Sequence, residues 1–141
     1  MARPASVGPA DWDWSRHVVD HVDLHASDYE ESVRFYTAVL APLGLPSWPE
    51  DTDRERATCF TRLNVVDRAP PSRDLHLCFI AQSRDQVEAF HRAGVEAGFR
   101  SNGAPGYRAY GPGYYAAFLL DPDGNNIEAL YRDVGNIGHA W

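Results

Sequence analysis

The chain has 141 residues, 13 basic against 20 acidic, and a formal charge of −7. A hydrophobic content of 44% with 12% aromatics excludes disorder, and the acidic excess leaves no basic stripe for a nucleic-acid backbone. All 13 basic residues are arginine, which removes Schiff-base chemistry and any lysine base. The cysteines, Cys59 and Cys78, are too few for a disulfide scaffold or a cysteine zinc site. The longest apolar run, Tyr114 to Leu120, is too short to span a bilayer. No apolar segment follows Arg3, where Pro4, Gly8, Pro9 and Asp11 interrupt the chain. The expectation is a cytoplasmic protein of one domain, residues 1–141, with reduced thiols.

In chain order, Val18 to Ala26 reads as a strand that ends at polar residues. Asp28-x-x-Glu31 is a capping box, since the cap oxygen accepts an orphan N–H while the glutamate reaches back. Val33, Phe35, Tyr36, Val39, Leu40 and Leu43 then form the apolar stripe of a helix that stops at Gly44. Pro46 to Arg56 reads as loop or weak strand, and Ala57 to Val66 as one or two strands. Pro70 and Pro71 mark a junction, after which the pattern returns at an offset of 55 residues. Leu75 to Ala81 is a strand, Ser83-x-x-Gln86 a second capping box, and Val87, Phe90 and Ala97 lie on a helix stopping at Gly98. Two Gly/Pro-rich loops follow, at Gly103–Gly106 and Gly111–Gly113. Tyr114 to Leu120 and Asn125 to Arg132 are strands joined by the tight turn Asp121-Pro-Asp-Gly124.

The unit is therefore strand, helix and about three strands, used twice: module one spans about 17–69 and module two about 72–133. One unit exposes a sheet face that it cannot cover alone. The expected fold is α+β, with two βαβββ modules forming one curved eight-stranded mixed sheet, a cup with helices outside.

Strand alternation places His21, Asp23 and His25 on one face of the first strand, opposite Val22 and Leu24. His76, Cys78 and Ile80 share the equivalent face in module two. In the last strand Glu128 points opposite to Ile127, Ala129 and Tyr131, and a carboxylate there is costly unless it is paired or bound to a cation. Two histidines and a glutamate from three strands form a 2-His-1-carboxylate set for a divalent ion with open positions. The same residues also read as two strand-end histidines and a glutamate paired with an arginine.

Four stretches carry a family resemblance: Asp20-His-Val, His76-Leu-Cys-Phe, Pro112-Gly-Tyr-Tyr-Ala-Ala-Phe118 and Asp121-Pro-Asp-Gly-Asn-Asn-Ile-Glu128. On these the chain resembles the vicinal oxygen chelate superfamily, which includes glyoxalase I, extradiol dioxygenases, fosfomycin-resistance enzymes and bleomycin-binding proteins. The resemblance runs from about Val18 to Arg132. It implies metal ligation by His21, His76 and Glu128, with Fe, Mn, Zn or Ni as the divalent ion, a small-molecule substrate and a homodimer. It does not imply one reaction. Thr58 to Val66 contains no His, Glu or Asp to serve as the fourth ligand of glyoxalase I; Arg62 and Asn64 are poor substitutes. No lysine is present for a fosfomycin-resistance enzyme, and Gly111 stands where many short relatives have a histidine.

The resulting expectation is a small metal-dependent enzyme, a lyase, isomerase or dioxygenase, that chelates vicinal oxygens of an organic substrate. Its rival is a binding protein without catalysis that holds an antibiotic or aromatic ligand. Glu128 and Tyr110 are the catalytic candidates, and Tyr114, Arg108, Cys78 and His25 the candidate substrate contacts. Trp12, Trp14, Trp48 and Trp141 are candidates for covering a dimer partner or the ligand cup.

Overall fold

The computed structural model describes residues 16–133, so Trp12, Trp14 and Trp141 lie outside the described residues. Asp28 caps the first helix as its box predicts, its side chain accepting the N–H of Glu31 at 3.1 Å. That helix, α1, spans Tyr29–Leu40 and tightens into a 3-10 turn over Ala41–Leu43. Gly44 ends it in the left-handed region at φ 76°, a conformation that a side chain would strain. Ser83 caps α2, Arg84–Glu96, by accepting from the N–H of Gln86 at 3.1 Å. Gly94 of α2 has a packing role, because a methyl group there would come within 2.5 Å of Leu119.

The strands of module one are β1 (Val22–Ala26), β2 (Ser47–Pro49), β3 (Ala57–Phe60) and β4 (Leu63–Asp67). They form a sheet in the order β1-β4-β3-β2, with β1 parallel to β4 and the other pairs antiparallel. Module two repeats this with β5 (His76–Ile80), β6 (Arg100–Tyr107), β7 (Tyr114–Leu120) and β8 (Asn126–Arg132), in the order β5-β8-β7-β6. The two-module α+β reading therefore describes the chain. The first strand is shorter than its apolar pattern suggested, starting at Val22 rather than Val18.

One local expectation is corrected. The Gly103–Gly106 stretch is part of strand β6 and not a loop. Its glycines sit at register shifts against β7, and a methyl group at Gly103 would lie 2.9 Å from the Phe118 ring. Glycine here marks bulges and close approach to an aromatic side chain.

The eight strands also divide between two four-stranded sheets instead of joining in one. Leu24 and Val65 of the first sheet, Phe35, Tyr36 and Val39 of α1, Val87 and Phe90 of α2, and Leu119, Ile127 and Ala129 of the second sheet form a single buried core. The helices make the joint: Phe35 meets Phe99 edge-on at 5.0 Å, and Arg34 donates to the carbonyl of Ala97 at 2.8 Å. Each sheet thus turns its apolar face to the helices and its polar face away from them. The stripe on α1 is wide enough to cover both its own sheet and α2, and periodicity alone does not reveal the second neighbour.

A buried polar cluster reinforces this joint. The hydroxyl of Tyr36 on α1 donates to Asp121 Oδ2 at 2.6 Å in the β7–β8 turn. Asp121 Oδ1 accepts the N–H groups of Asp123 and Asn125, each at 2.9 Å. Ser27, just after β1, donates both its N–H and its hydroxyl to Asp123. Asn125, fully buried, donates to the carbonyl of Ser72 at 2.9 Å and accepts from the N–H of Leu75 at 3.0 Å. The sequence reads this segment only as a hairpin turn; folded, it ties the turn to module one and to the linker.

Candidate metal centre

Glu128 lies on β8 between two neighbours, paired in register with Cys78 on β5 and with Phe118 on β7. Only 2% of it is exposed, so the cost of its charge must be met by nearby groups. Cys78 and His76 alternate onto the same face, and His76 reaches across so that Nε2 stands 3.0 Å from Glu128 Oε1. The other ring nitrogen, Nδ1, is 2.9 Å from the carbonyl oxygen of Asn126. A carbonyl only accepts, so Nδ1 carries the hydrogen, and Nε2 meets the carboxylate as a lone pair in the neutral ring or as a second N–H in the imidazolium. In the neutral ring two acceptors face each other, an arrangement completed by one proton or by one cation between them. An imidazole fixed through its far nitrogen beside a buried carboxylate is a donor set that fits a divalent ion.

The second carboxylate oxygen is also engaged. Tyr114, on β7, donates its hydroxyl to Glu128 Oε2 at 2.5 Å. Burial, and then Glu128, hold the Tyr114 phenol well above its ordinary pKa. Burial also pushes the Cys78 thiol up, with a further contribution from Glu128, to about 12. Cys78 is therefore a thiol and not a thiolate nucleophile. Phe118 stacks beside His76 with centroids 6.3 Å apart, and Tyr110 meets Tyr114 edge-on at 5.2 Å. The guanidinium of Arg132 lies 5.2 Å from the Tyr114 ring centre, and burial lowers its pKa.

Tyr110 is 71% exposed at the edge of this aromatic wall. Arg108 lies over the Phe118 ring at 5.4 Å and donates to the carbonyls of Gly106 and Ala104, which fixes it along β6. His25 is on the first sheet, where it meets the carbonyl of Pro70 and the guanidinium of Arg68; it does not share the site of Glu128.

His21 also belongs to the first sheet's polar side. Asp20 holds its Nδ1 at 2.8 Å and raises its pKa. It borders a hollow of about 450 Å³ lined also by Trp48, Glu50, Cys59 and Arg62. In the module equivalence, Asn64 occupies the place of Glu128; it pairs with Asp23 and donates to that carboxylate at 2.9 Å. The first face therefore offers a carboxylate-oriented histidine without a buried glutamate beside it. The structure brings His76 and Glu128 together within one chain and leaves His21 on the other sheet. Among the described residues, no three His, Cys, Asp or Glu side chains of one chain converge on a common metal position.

Tyr114, expected as a substrate contact, gives its hydroxyl to Glu128 and leaves its ring facing outward beside Tyr110. Phe118 has no role in the sequence expectation. The signal was available, because Tyr114 and Phe118 share strand parity and Phe118 lies opposite Glu128 once the hairpin register is set.

Among the described residues, no helix is long and apolar enough to cross a membrane. The family model described as the Glyoxalase/Bleomycin resistance protein/Dioxygenase superfamily matches residues 18–129. No curated protein matches the chain significantly. Among solved structures, a glyoxalase/bleomycin resistance protein from Albidiferax ferrireducens T118 is 33% identical, with a TM-score of 0.63 over 80% of this chain and 97% of that one. A glyoxylase/bleomycin resistance protein/dioxygenase domain from Frankia sp. EAN1pec has 18% identity and a TM-score of 0.63, covering 83% and 98% of the two chains. Lactoylglutathione lyase from Agrobacterium tumefaciens has 17% identity and a TM-score of 0.59, covering 86% and 98%. The last two show the fold alone. The match covers most of the chain, and the same strand order recurs in its two modules: the chain belongs to the glyoxalase/bleomycin resistance protein/dioxygenase superfamily.

Proposed function

We propose that the protein is a small metal-dependent enzyme of the glyoxalase/dioxygenase-like type, acting on an organic substrate with two adjacent oxygens. The observation that supports this is the pair His76 Nε2 and Glu128 Oε1 facing each other at 3.0 Å with Nδ1 already engaged. His76 and Glu128 would hold the divalent ion, Fe, Mn, Zn or Ni, and His21 of a second copy would complete the set. Both histidine side chains are about half exposed, His21 at 58% and His76 at 49%, as a shared site between two faces requires.

When bound, such an ion supplies Lewis-acid stabilisation of negative charge on substrate oxygens. The chain's own residues do the rest. Asn126 and Asp20 orient the two imidazoles, each through its Nδ1. Phe118, Tyr114 and Tyr110 form an apolar wall that shields one side of the substrate from water. Cys78 stays protonated and neutral beside Glu128. Non-catalytic binding of an aromatic ligand is the second reading, favoured by the open rings of Tyr110 and Trp48. The His–Glu pair has no role in that reading, which is why the enzyme is preferred. We place the protein in the cytoplasm, consistent with its two free cysteines.

Mixing tests the shared site. His21→Ala protein and Glu128→Ala protein, each unable to load its own sites, should regain metal when combined, up to one site per mixed dimer. Failure to regain any metal from soluble, dimeric variants contradicts a site built from two chains.

A further inference from the structure

We infer that Tyr114 is a positioning residue that holds Glu128 Oε2, so that the carboxylate presents Oε1 alone beside His76 Nε2. This rests on the metal-site reading above and extends it to a residue outside the ligand set. A carboxylate can engage a cation through one oxygen or through both. Here the two oxygens of Glu128 have different environments. Oε1 faces the imidazole at 3.0 Å, whereas Oε2 accepts the phenol at 2.5 Å. With 2% of Glu128 exposed, bulk water does not compete for either oxygen.

The phenol is itself held in place. Tyr114 is opposite Arg132 in the β7–β8 register, and its ring is flanked by the Arg132 guanidinium and the Tyr110 ring, both near 5.2 Å. Swinging the hydroxyl away would disturb both contacts and leave Oε2 buried without this donor. The consequence for the proposed enzyme is economy of coordination: a glutamate confined to one oxygen leaves more of the ion's positions for two substrate oxygens. The hydroxyl of Tyr114 is thereby assigned to the glutamate, and only its ring is left to face the substrate.

The test uses full-length protein, cobalt(II) as the probe, and the variant Tyr114→Phe, which keeps the ring and removes one oxygen. Circular dichroism and a melting curve establish that the variant is folded. Loss of a partner to a ligating carboxylate should weaken cobalt affinity about 10- to 100-fold. The visible cobalt spectrum should also weaken as Glu128 becomes free to bind through both oxygens and the coordination number rises. Placing 4-aminophenylalanine at position 114, which restores a donor at the same point on the ring, should recover the wild-type spectrum. A folded Tyr114→Phe protein with wild-type affinity and spectrum overturns this inference and leaves the metal site standing. Wild-type protein that takes up no cobalt overturns the proposed function and this inference with it. Should Tyr114→Phe not fold, a 4-aminophenylalanine protein whose spectrum differs from wild type in the direction of higher coordination overturns the donor role, and an unchanged one supports it.

Discussion

The hydroxyl of Tyr36 and the carboxylate of Asp121 meet at 2.6 Å in the interior, linking the first module's helix to the second module's hairpin. Burial first, and then Asp121, hold the Tyr36 phenol well above its ordinary pKa of 10.0. A raised phenol pKa means that the folded state keeps the proton longer than the unfolded state. Its contribution to stability is therefore complete below about pH 10 and is lost as pH rises toward the folded value. Tyr36→Phe should cost about 1–3 kcal/mol near neutral pH, the range for breaking a buried hydrogen bond. It should also flatten the alkaline loss of stability, although Tyr107, Tyr114 and Tyr115 are raised too and keep part of it. Denaturant unfolding from pH 8 to pH 11 measures both effects.

Asp121→Ala should be worse than Tyr36→Phe. It strands the N–H groups of Asp123 and Asn125 as well as the Tyr36 hydroxyl, all in the interior. A loss of about 3 kcal/mol or more is expected from several unpaired buried donors. Urea melts of the two variants rank them; equal midpoints contradict the network as drawn.

The thiol of Cys78 should react slowly despite its place on an open sheet face. Burial of the sulfur, and then Glu128, raise its pKa, so its thiolate fraction at pH 8 is below that of an ordinary cysteine although the residue reaches the surface. Iodoacetamide labelling of chelator-treated protein, resolved by mass spectrometry, should therefore be slow at Cys78. Glu128→Gln removes a nearby negative charge and should speed it, with burial keeping it below the rate of a free thiol. Labelling at the rate of a free cysteine contradicts this environment.

Much of this molecule was legible from residue pattern because local chemistry determines it. The boxes Asp28-x-x-Glu31 and Ser83-x-x-Gln86 locate both helix starts, and Asp121-Pro-Asp-Gly124 locates the final hairpin. Parity along β5 and β8 separates His76 and Glu128 from the apolar positions of their strands, and the register Cys78↔Glu128 puts them on one face. Strand β6 was hidden by Gly103, Pro105 and Gly106, whose local preference for a loop is overridden by pairing with β7. The position of His21 was hidden for a different reason. Whether two modules close on each other or turn their polar faces apart depends on what else α1 covers, and Phe35 against Phe99 is a tertiary contact that no period encodes. The link from Tyr114 to Glu128 likewise depends on hairpin register, which fixes neighbours only after the turn is placed.

Metal content is the shortest route to whether His76 and Glu128 hold a divalent ion. Protein purified without chelator would be analysed for Fe, Mn, Zn and Ni, beside His76→Ala and Glu128→Ala. Near-stoichiometric metal is expected in the wild type, with its loss in both folded variants. Wild-type protein that is empty and cannot be reloaded, or variants that retain the metal, would contradict it.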